Sequence, residues 1–326
     1  MSNTVSEPIK DKKVTKLPIG AFIKQYNLFL IFIVFLIIGS TLSDKFLSVQ
    51  NILNILQQSS FVGLAALGMT FVILTRGIDL SVGSVLALSG MIAAYLMTSG
   101  VHPAAAIPIT LLAGTALGFI NGFISTKYKV PAFIATLAMM VTARGLALLT
   151  TDGQPLYNLP ESFQALGGTV FGRIPIPAVI WVVLTIMSVI VLKYTTFGRR
   201  LYAIGGNPES AKLSGISVDK HITITFMISG FMAAAAGILL SAWLTVGQPT
   251  AGQALELDAI AAVVIGGTSL FGGKGGVGGT FIGVLIMSMI VNIFNLLGLS
   301  SYYQSVFMGV IIVLALILNQ YIANRK

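Results

Sequence analysis

Two apolar stretches of this chain carry neutral hydrogen-bonding side chains at helical spacing. Asn54, Gln57 and Gln58 cluster in one; Ser288, Asn292 and Asn295 fall at i, i+4 and i+7 on one helical face of the other. Carboxamides and hydroxyls suit a polyol, which offers many hydroxyls and no charge, and they serve equally well to tie helices together. Gln57, Gln58, Ser288, Asn292 and Asn295 are therefore candidates for lining a substrate path. Bond-breaking chemistry has no comparable constellation. The chain has no cysteine, hence no thiol nucleophile, disulfide or cysteine-based metal cage, and its two histidines, His102 and His221, stand isolated at loop edges. No carboxylate pair or nucleophile–base arrangement stands out. The glycine-rich run 266–279, GGTSLFGGKGGVGG, invites comparison with a phosphate loop. That pattern needs glycine five positions before Gly273, where Thr268 stands, and Ser or Thr after Lys274, where Gly275 stands. The run is expected to be a flexible turn, and the chain to hold no ATP site, catalytic residue, cofactor or metal of its own.

Two polar devices interrupt the apolar runs. RGIDLSVG, 76–83, sets Arg76 and Asp79 between two of them. Charge near membrane depth is costly and often functional. The plainer reading is that Arg76 complements the dipole at the end of one helix and Asp79 that at the start of the next, with Asp79 or Ser81 as its cap. The other device is 198–221, GRRLYAIGGNPESAKLSGISVDKH. Asn207 is a good N-cap, Pro208 suits the first helical position, Glu209 places negative charge at the positive end of the dipole, and Gly215 supplies a left-handed stop. The spacing predicts a helix over 208–214, roughly 10 Å long. A short rigid helix of this kind either joins two spans or acts as a peg for a soluble partner.

The elements that must position these groups are membrane helices. Of 326 residues 56% are hydrophobic and 9% charged, where soluble domains carry about 25% charge. The chain is expected to be an all-α polytopic membrane protein. Apolar segments lie near 26–42, 53–75, 80–99, 104–126, 132–150, 176–195, 222–244, 278–297 and 303–322, with a short tenth candidate at 258–271. With ten crossings and a cytoplasmic N-terminus, all Lys and Arg fall inside except Lys45 and Arg173, which lie outside, and Arg144, which lies within a span. Removing the tenth crossing sends Lys274, Arg325 and Lys326 outside, so the positive-inside bias favours about ten transmembrane helices with both termini cytoplasmic. The net charge of +9 is scattered over short loops and reads as orientation signal rather than a nucleic-acid patch. The first apolar run follows a polar, basic N-terminus and precedes no small-residue cleavage site, so it reads as a retained span. Gly114, Gly118 and Gly122 mark a face for close helix packing. The segments 151–175 and 245–257 are long outward loops, able to receive an external partner.

The peg segment adds a resemblance. ESAKLSG, Glu209 to Gly215, is similar to the E-A-A-x-x-x-G motif of the permease subunits of ABC importers, with Ser210 in place of the first alanine. VILTRGIDLSVGSVLALSG (72–90), PAFIATLAMM (131–140), ELDAIAAVVIGGTSLFGGKG (256–275) and LLGLSSYYQ (296–304) resemble the ribose-type branch of that family, and the likeness runs from about 48 to 320. It implies the ABC importer permease fold. In it, Asn207, Pro208, Glu209, Ala211 and Gly215 form a coupling helix that docks into a cytoplasmic ATPase, the subunit holding ATP and Mg. It further implies a second permease chain, identical or related, an extracytoplasmic sugar-binding protein, and a bacterial cytoplasmic membrane. The expected layout is a tail at 1–25, a transmembrane domain at 26–322 with its coupling loop at 196–221, and a tail at 323–326. The expected cargo is a monosaccharide, ribose first, with another sugar or a furanosyl signalling molecule as alternatives. The turn at Arg76 and Asp79 then lies on the cytoplasmic side, within reach of the ATPase. The rival class, an ion-coupled secondary transporter, needs a buried titratable group. Asp79, Glu256 and Asp258, the acids near spans, all fall at predicted helix edges.

Overall fold

A computed structural model describes residues 19–324. Lys10, Lys12, Lys13, Lys16, Arg325 and Lys326, and most of the expected N-terminal tail, lie outside the described residues. The helices are α1 Ile19–Leu42, α2 Val49–Leu74, α3 Val82–Thr98, α4 Pro103–Lys127 and α5 Ala132–Leu149. A connector follows, carrying the one-turn helix α6 Glu161–Gln164 and a small hairpin of β1 Thr169–Val170 against β2 Ile174–Pro175. Then come α7 Ile176–Tyr194, α8 Thr196–Gly206, α9 Pro208–Leu213, α10 Val218–Leu244, α11 Leu255–Ile265, α12 Val277–Leu296 and α13 Ser301–Asn324. Among the described residues six helices, α2, α4, α5, α7, α10 and α12, are long and apolar enough to cross a bilayer; α3 and Leu28–Leu42 are shorter apolar helices. α1 begins at Ile19 and α13 continues to Asn324, so both helices extend past the apolar runs near 26–42 and 303–322.

The core is built around α2, whose residues from Ser59 to Leu74 are almost wholly buried. α10 runs antiparallel to it and packs closely on α4. The glycine stripe of α4 is the reason: an added methyl at Gly114, Gly118 or Gly122 would strike the α10 backbone at Gly230, Phe226 or Thr223. Small residues thus let two backbones approach where side-chain ridges would hold them apart.

Side-chain and backbone ties divide the molecule into two ends. At one end, Thr75 meets Thr225, Lys129 pairs with Asp219 at 3.1 Å, and the Gly273 amide donates to the Leu74 carbonyl. At the other, Asn51 meets Asn292 and Gln304 meets Asn295. Leu156 and Gly247 there form an antiparallel bridge with N–H···O distances of 2.9 and 2.8 Å. That bridge joins the two long loops. The 151–175 connector also buries Leu159 and Phe163 against Ala93, Ala94, Met97, Ile238 and Ala242, so it is folded down onto the helices.

The 245–257 segment differs from the expectation of an outward loop. Past Gly247 it turns into the body, where the Gly252 backbone lies against Gly83 in the first turn of α3. Irregular backbone inside the apolar body must find hydrogen-bond partners. Arg144 of α5 supplies two, donating from Nη1 to the Pro249 carbonyl at 2.9 Å and the Ala251 carbonyl at 2.7 Å. Helix occupies only part of the short segment predicted at 258–271: the eleven-residue α11 follows this inward-running series of turns and stops at Ile265 before the Gly266–Gly267 pair.

Candidate functional site

The predicted peg forms as α9, one residue shorter than expected. Asn207 is its N-cap, with backbone at φ −154° and ψ 108°, and its Oδ1 accepts from the Ser210 amide at 3.0 Å. Pro208 occupies the first position and Glu209 the first turn. The stop is a paired hydrogen-bond motif around Gly215, which sits at φ +80°. The Ile216 amide donates to the Ala211 carbonyl at 3.1 Å and the Gly215 amide to the Lys212 carbonyl at 3.0 Å. Ala211 faces the body and is buried, while Leu213 is 90% exposed.

Sequence reasoning missed α8. Its buried residues Gly198, Leu201, Ile204 and Gly205 share one face, half-buried Phe197 lies beside them, and Arg199 and Arg200 point out. The 3.6-residue periodicity was available as a signal, but three glycines and two arginines in a short stretch read as loop. Thr195 caps α8 by accepting from the Gly198 amide at 3.2 Å. Phe197 stacks on His221 at 5.7 Å, and His221 Nδ1 lies 2.7 Å from the Ser217 carbonyl. His102 accepts from the Ala104 amide as the cap of α4. Both histidines thus have packing or capping partners.

Where α8 hands over to α9, three backbones meet. A methyl at Gly205 would collide with the Leu74 carbonyl and the Gly273 amide. Arg76 donates from Nε to the Gly205 carbonyl at 2.8 Å and from Nη2 to the Gly206 carbonyl. This corrects the expectation for Arg76: it serves the C-terminal carbonyls of α8, not those of its own helix. Tyr202 donates to the Gly275 carbonyl at 2.9 Å, and burial pushes its phenol above the ordinary range. The glycine-rich run is likewise not a flexible turn. Its Gly273 amide is given to Leu74, its Ser269 amide to the Lys274 carbonyl at 3.0 Å and its Gly276 amide to Thr268 Oγ1 at 3.2 Å.

Asp79 is 1% exposed and sits deeper than a helix edge. Its Oδ1 accepts from the Ser81 amide at 3.0 Å and Ser81 Oγ at 2.6 Å, and its Oδ2 from Ser229 Oγ of α10 at 2.7 Å. Asn121 of α4 donates to Ser81 Oγ at 3.0 Å. Asp79 therefore does hold the start of α3, as one reading of the sequence had it, while Ser81 makes no side-chain cap of its own.

The candidate path residues do not converge. Asn292 and Asn51 exchange two amide hydrogen bonds of 2.9 and 2.8 Å and are buried, so Asn292 ties α12 to α2. Asn295 is exposed and accepts from Gln304 at 2.7 Å; Ser288 is half-buried on α12. Gln57 and Gln58, by contrast, line a cavity of about 670 Å³ at the end opposite α9. Gln50 and Asn54 of α2, Arg173 in the hairpin turn and Trp243 of α10 line it too. Gln57 is 7% exposed and its Nε2 has no hydrogen-bond partner. Four carboxamides with an indole beside them can hydrogen-bond hydroxyls and cover a sugar's apolar face.

Comparison with known proteins supplies the family. Residues 51–316 match the model for the permease component of branched-chain amino acid transport systems. The chain is 47% identical over 315 residues to the ribose import permease protein RbsC of Haemophilus influenzae, covering 94% of this chain and 97% of that one. It is 49% identical over 294 residues to RbsC of Bacillus subtilis, covering 90% and 91%. It is 40% identical over 303 residues to the D-allose transport system permease protein AlsC of Escherichia coli, covering 92% and 93%. No solved structure matches significantly. The chain belongs to this family of multi-pass transporter permeases.

Proposed function

We propose that this member of the permease family is the membrane subunit of an ATP-driven importer that carries a monosaccharide, ribose first, across the bacterial cytoplasmic membrane. The observation that carries the reading is α9. It is a helix capped at both ends, with one buried side chain toward the body and Leu213 projecting at an end rich in Lys and Arg. A peg of this kind passes the movement of a docked ATPase to the helices without losing it in loop flexibility. Asn207, Pro208, Glu209, Ala211 and Gly215 shape the peg, and the ATPase supplies ATP and Mg. Two permease chains, identical in the simplest arrangement, form the pore. A soluble sugar-binding protein delivers cargo at the opposite end, where Gln57 and Gln58 line the carboxamide cavity.

The names of the relatives favour ribose; the D-allose permease among them keeps a hexose as the second reading. Ten passes with both termini cytoplasmic agree with the ties at the two ends, since α10, the inward-running 245–265 segment, α12 and α13 alternate between them. The arrangement assigned is a tail ending near 25, a transmembrane domain over 26–322 with its coupling loop at 196–221, and a short tail at 323–326. Two experiments test the reading. Co-purification of the chain with its cognate ATPase, followed by uptake of labelled ribose, allose and arabinose, should give ATP-dependent ribose uptake. Glu209→Ala combined with Gly215→Pro should abolish that uptake while the chain still inserts. Uphill sugar transport by vesicles holding this chain alone would defeat the proposal.

A further inference from the structure

We propose that the segment 75–81 is the mechanical link between α9 and the helices α3, α4, α5 and α10, with Arg76 as its input residue. The proposal rests on α9 being the ATPase contact and adds the route by which its movement enters the body. Arg76 grips the last two carbonyls of α8, at Gly205 and Gly206. The next residue, Asn207, is the cap of α9, so no free chain lies between the grip and the peg. Arginine fits the task because its planar fork can donate to two acceptors at once, and because carbonyls at a helix C-terminus concentrate negative potential. Its backbone is at φ +67°, a conformation that a residue with a side chain keeps only when its surroundings impose it.

The output lies within the next five residues. The Thr136 hydroxyl of α5 accepts from the Leu80 amide at 3.1 Å, and its one hydrogen is shared between the Ile78 carbonyl at 3.1 Å and the Ala132 carbonyl of its own helix at 2.9 Å. Asp79 takes Ser229 of α10 and the Ser81 amide and hydroxyl, and Ser81 takes Asn121 of α4. Thr75, beside Arg76, meets Thr225 of α10 at 3.4 Å. Seven consecutive residues thus join α8 by hydrogen bonds to three helices, α4, α5 and α10, and run directly into α3, and hydrogen bonds fix direction where apolar contacts would slide. Displacement of α9 toward or away from the body must pull on Arg76, and Arg76 cannot move without Ile78 and Asp79.

The test uses the whole transporter, this chain with its cognate ATPase in proteoliposomes and sugar-loaded binding protein added. It reads ATPase co-purification, sugar-stimulated ATP hydrolysis and sugar moved per ATP. Arg76→Gln should leave co-purification at the wild-type level and lower stimulated hydrolysis and uptake about tenfold, a typical size for coupling between sites. Arg76→Lys, which keeps the charge but not the fork, should recover only part. Thr136→Val should give the same pattern from the output side. Unimpaired stimulation and uptake in Arg76→Gln overturn the proposal; where that variant fails to accumulate, wild-type coupling in Arg76→Lys overturns it. Wild-type uptake in the Glu209→Ala, Gly215→Pro chain defeats the peg reading, and this proposal with it, through different residues.

Discussion

Gly205 and Gly206 are neighbours in sequence at the end of α8, yet alanine should have opposite consequences at the two. At Gly206 an added methyl meets nothing within 4 Å. At Gly205 it meets the Leu74 carbonyl and the Gly273 amide, both backbone atoms at the junction of α8, α2 and the glycine-rich run. Replacing glycine by alanine near a helix end gains up to about 1 kcal/mol of helix propensity. Both substitutions share that gain, so it cancels in their difference. Overpacking a close contact costs typically about 1–3 kcal/mol, and backbone obstacles give way less readily than the tip of a side chain. Gly205→Ala should therefore fall about 1–3 kcal/mol below Gly206→Ala in stability. The assay is the thermal midpoint of purified chain in detergent, with sugar uptake in parallel vesicles. Gly206→Ala should match or exceed wild type in both. If Gly205→Ala proves as stable and as active as Gly206→Ala, the three backbones do not meet as described and the account of this junction fails.

Three further outcomes follow from the same contacts. Asn51→Leu leaves the buried Asn292 carboxamide unpaired and Asn292→Leu leaves Asn51 only its 2.8 Å bond to the Phe46 carbonyl, so each should destabilise by about 1–3 kcal/mol. The double change should cost less than their sum, a double-mutant cycle that additivity would contradict. Gln57→Leu and Gln58→Leu should raise the KM for labelled ribose while leaving ATPase association intact; unchanged KM in both would remove the carboxamide cavity from the path. Lys129→Ala should leave stability and uptake unchanged, because its pair with Asp219 is solvent-exposed and such pairs contribute little. A clear loss would show that this contact carries more than surface charge.

Much of the fold was legible because its signals are local. The apolar runs marked the spans, and Asn207, Pro208, Glu209 and Gly215 marked α9 to within one residue, since caps and helix hydrogen bonds act over three to five residues. The α4 glycine spacing announced a close helix contact for the same reason. Partner choice was not local. Asn292 looked like a path residue, and only its meeting with Asn51, 241 positions away, makes it a tie between helices. Gln57 and Asn292 have interchangeable chemistry, and nothing within a few residues of either says which faces a cavity and which a partner.

The two arginines make the same distinction. Arg76 and Arg144 could be seen to stand near or within apolar runs, but their acceptors lie between 105 and 130 residues further along the chain. Amino-acid order by itself determined a helical membrane protein, its long apolar helices and the short capped helix α9. Tertiary structure alone decided that 245–254 turns inward, that the glycine-rich run is packed rather than loose, and that Arg76 holds α8. The physical reason is one of range. Periodicity and capping are set by bonds between near neighbours, whereas the satisfaction of a buried carbonyl depends on which donor the fold brings within about 3 Å.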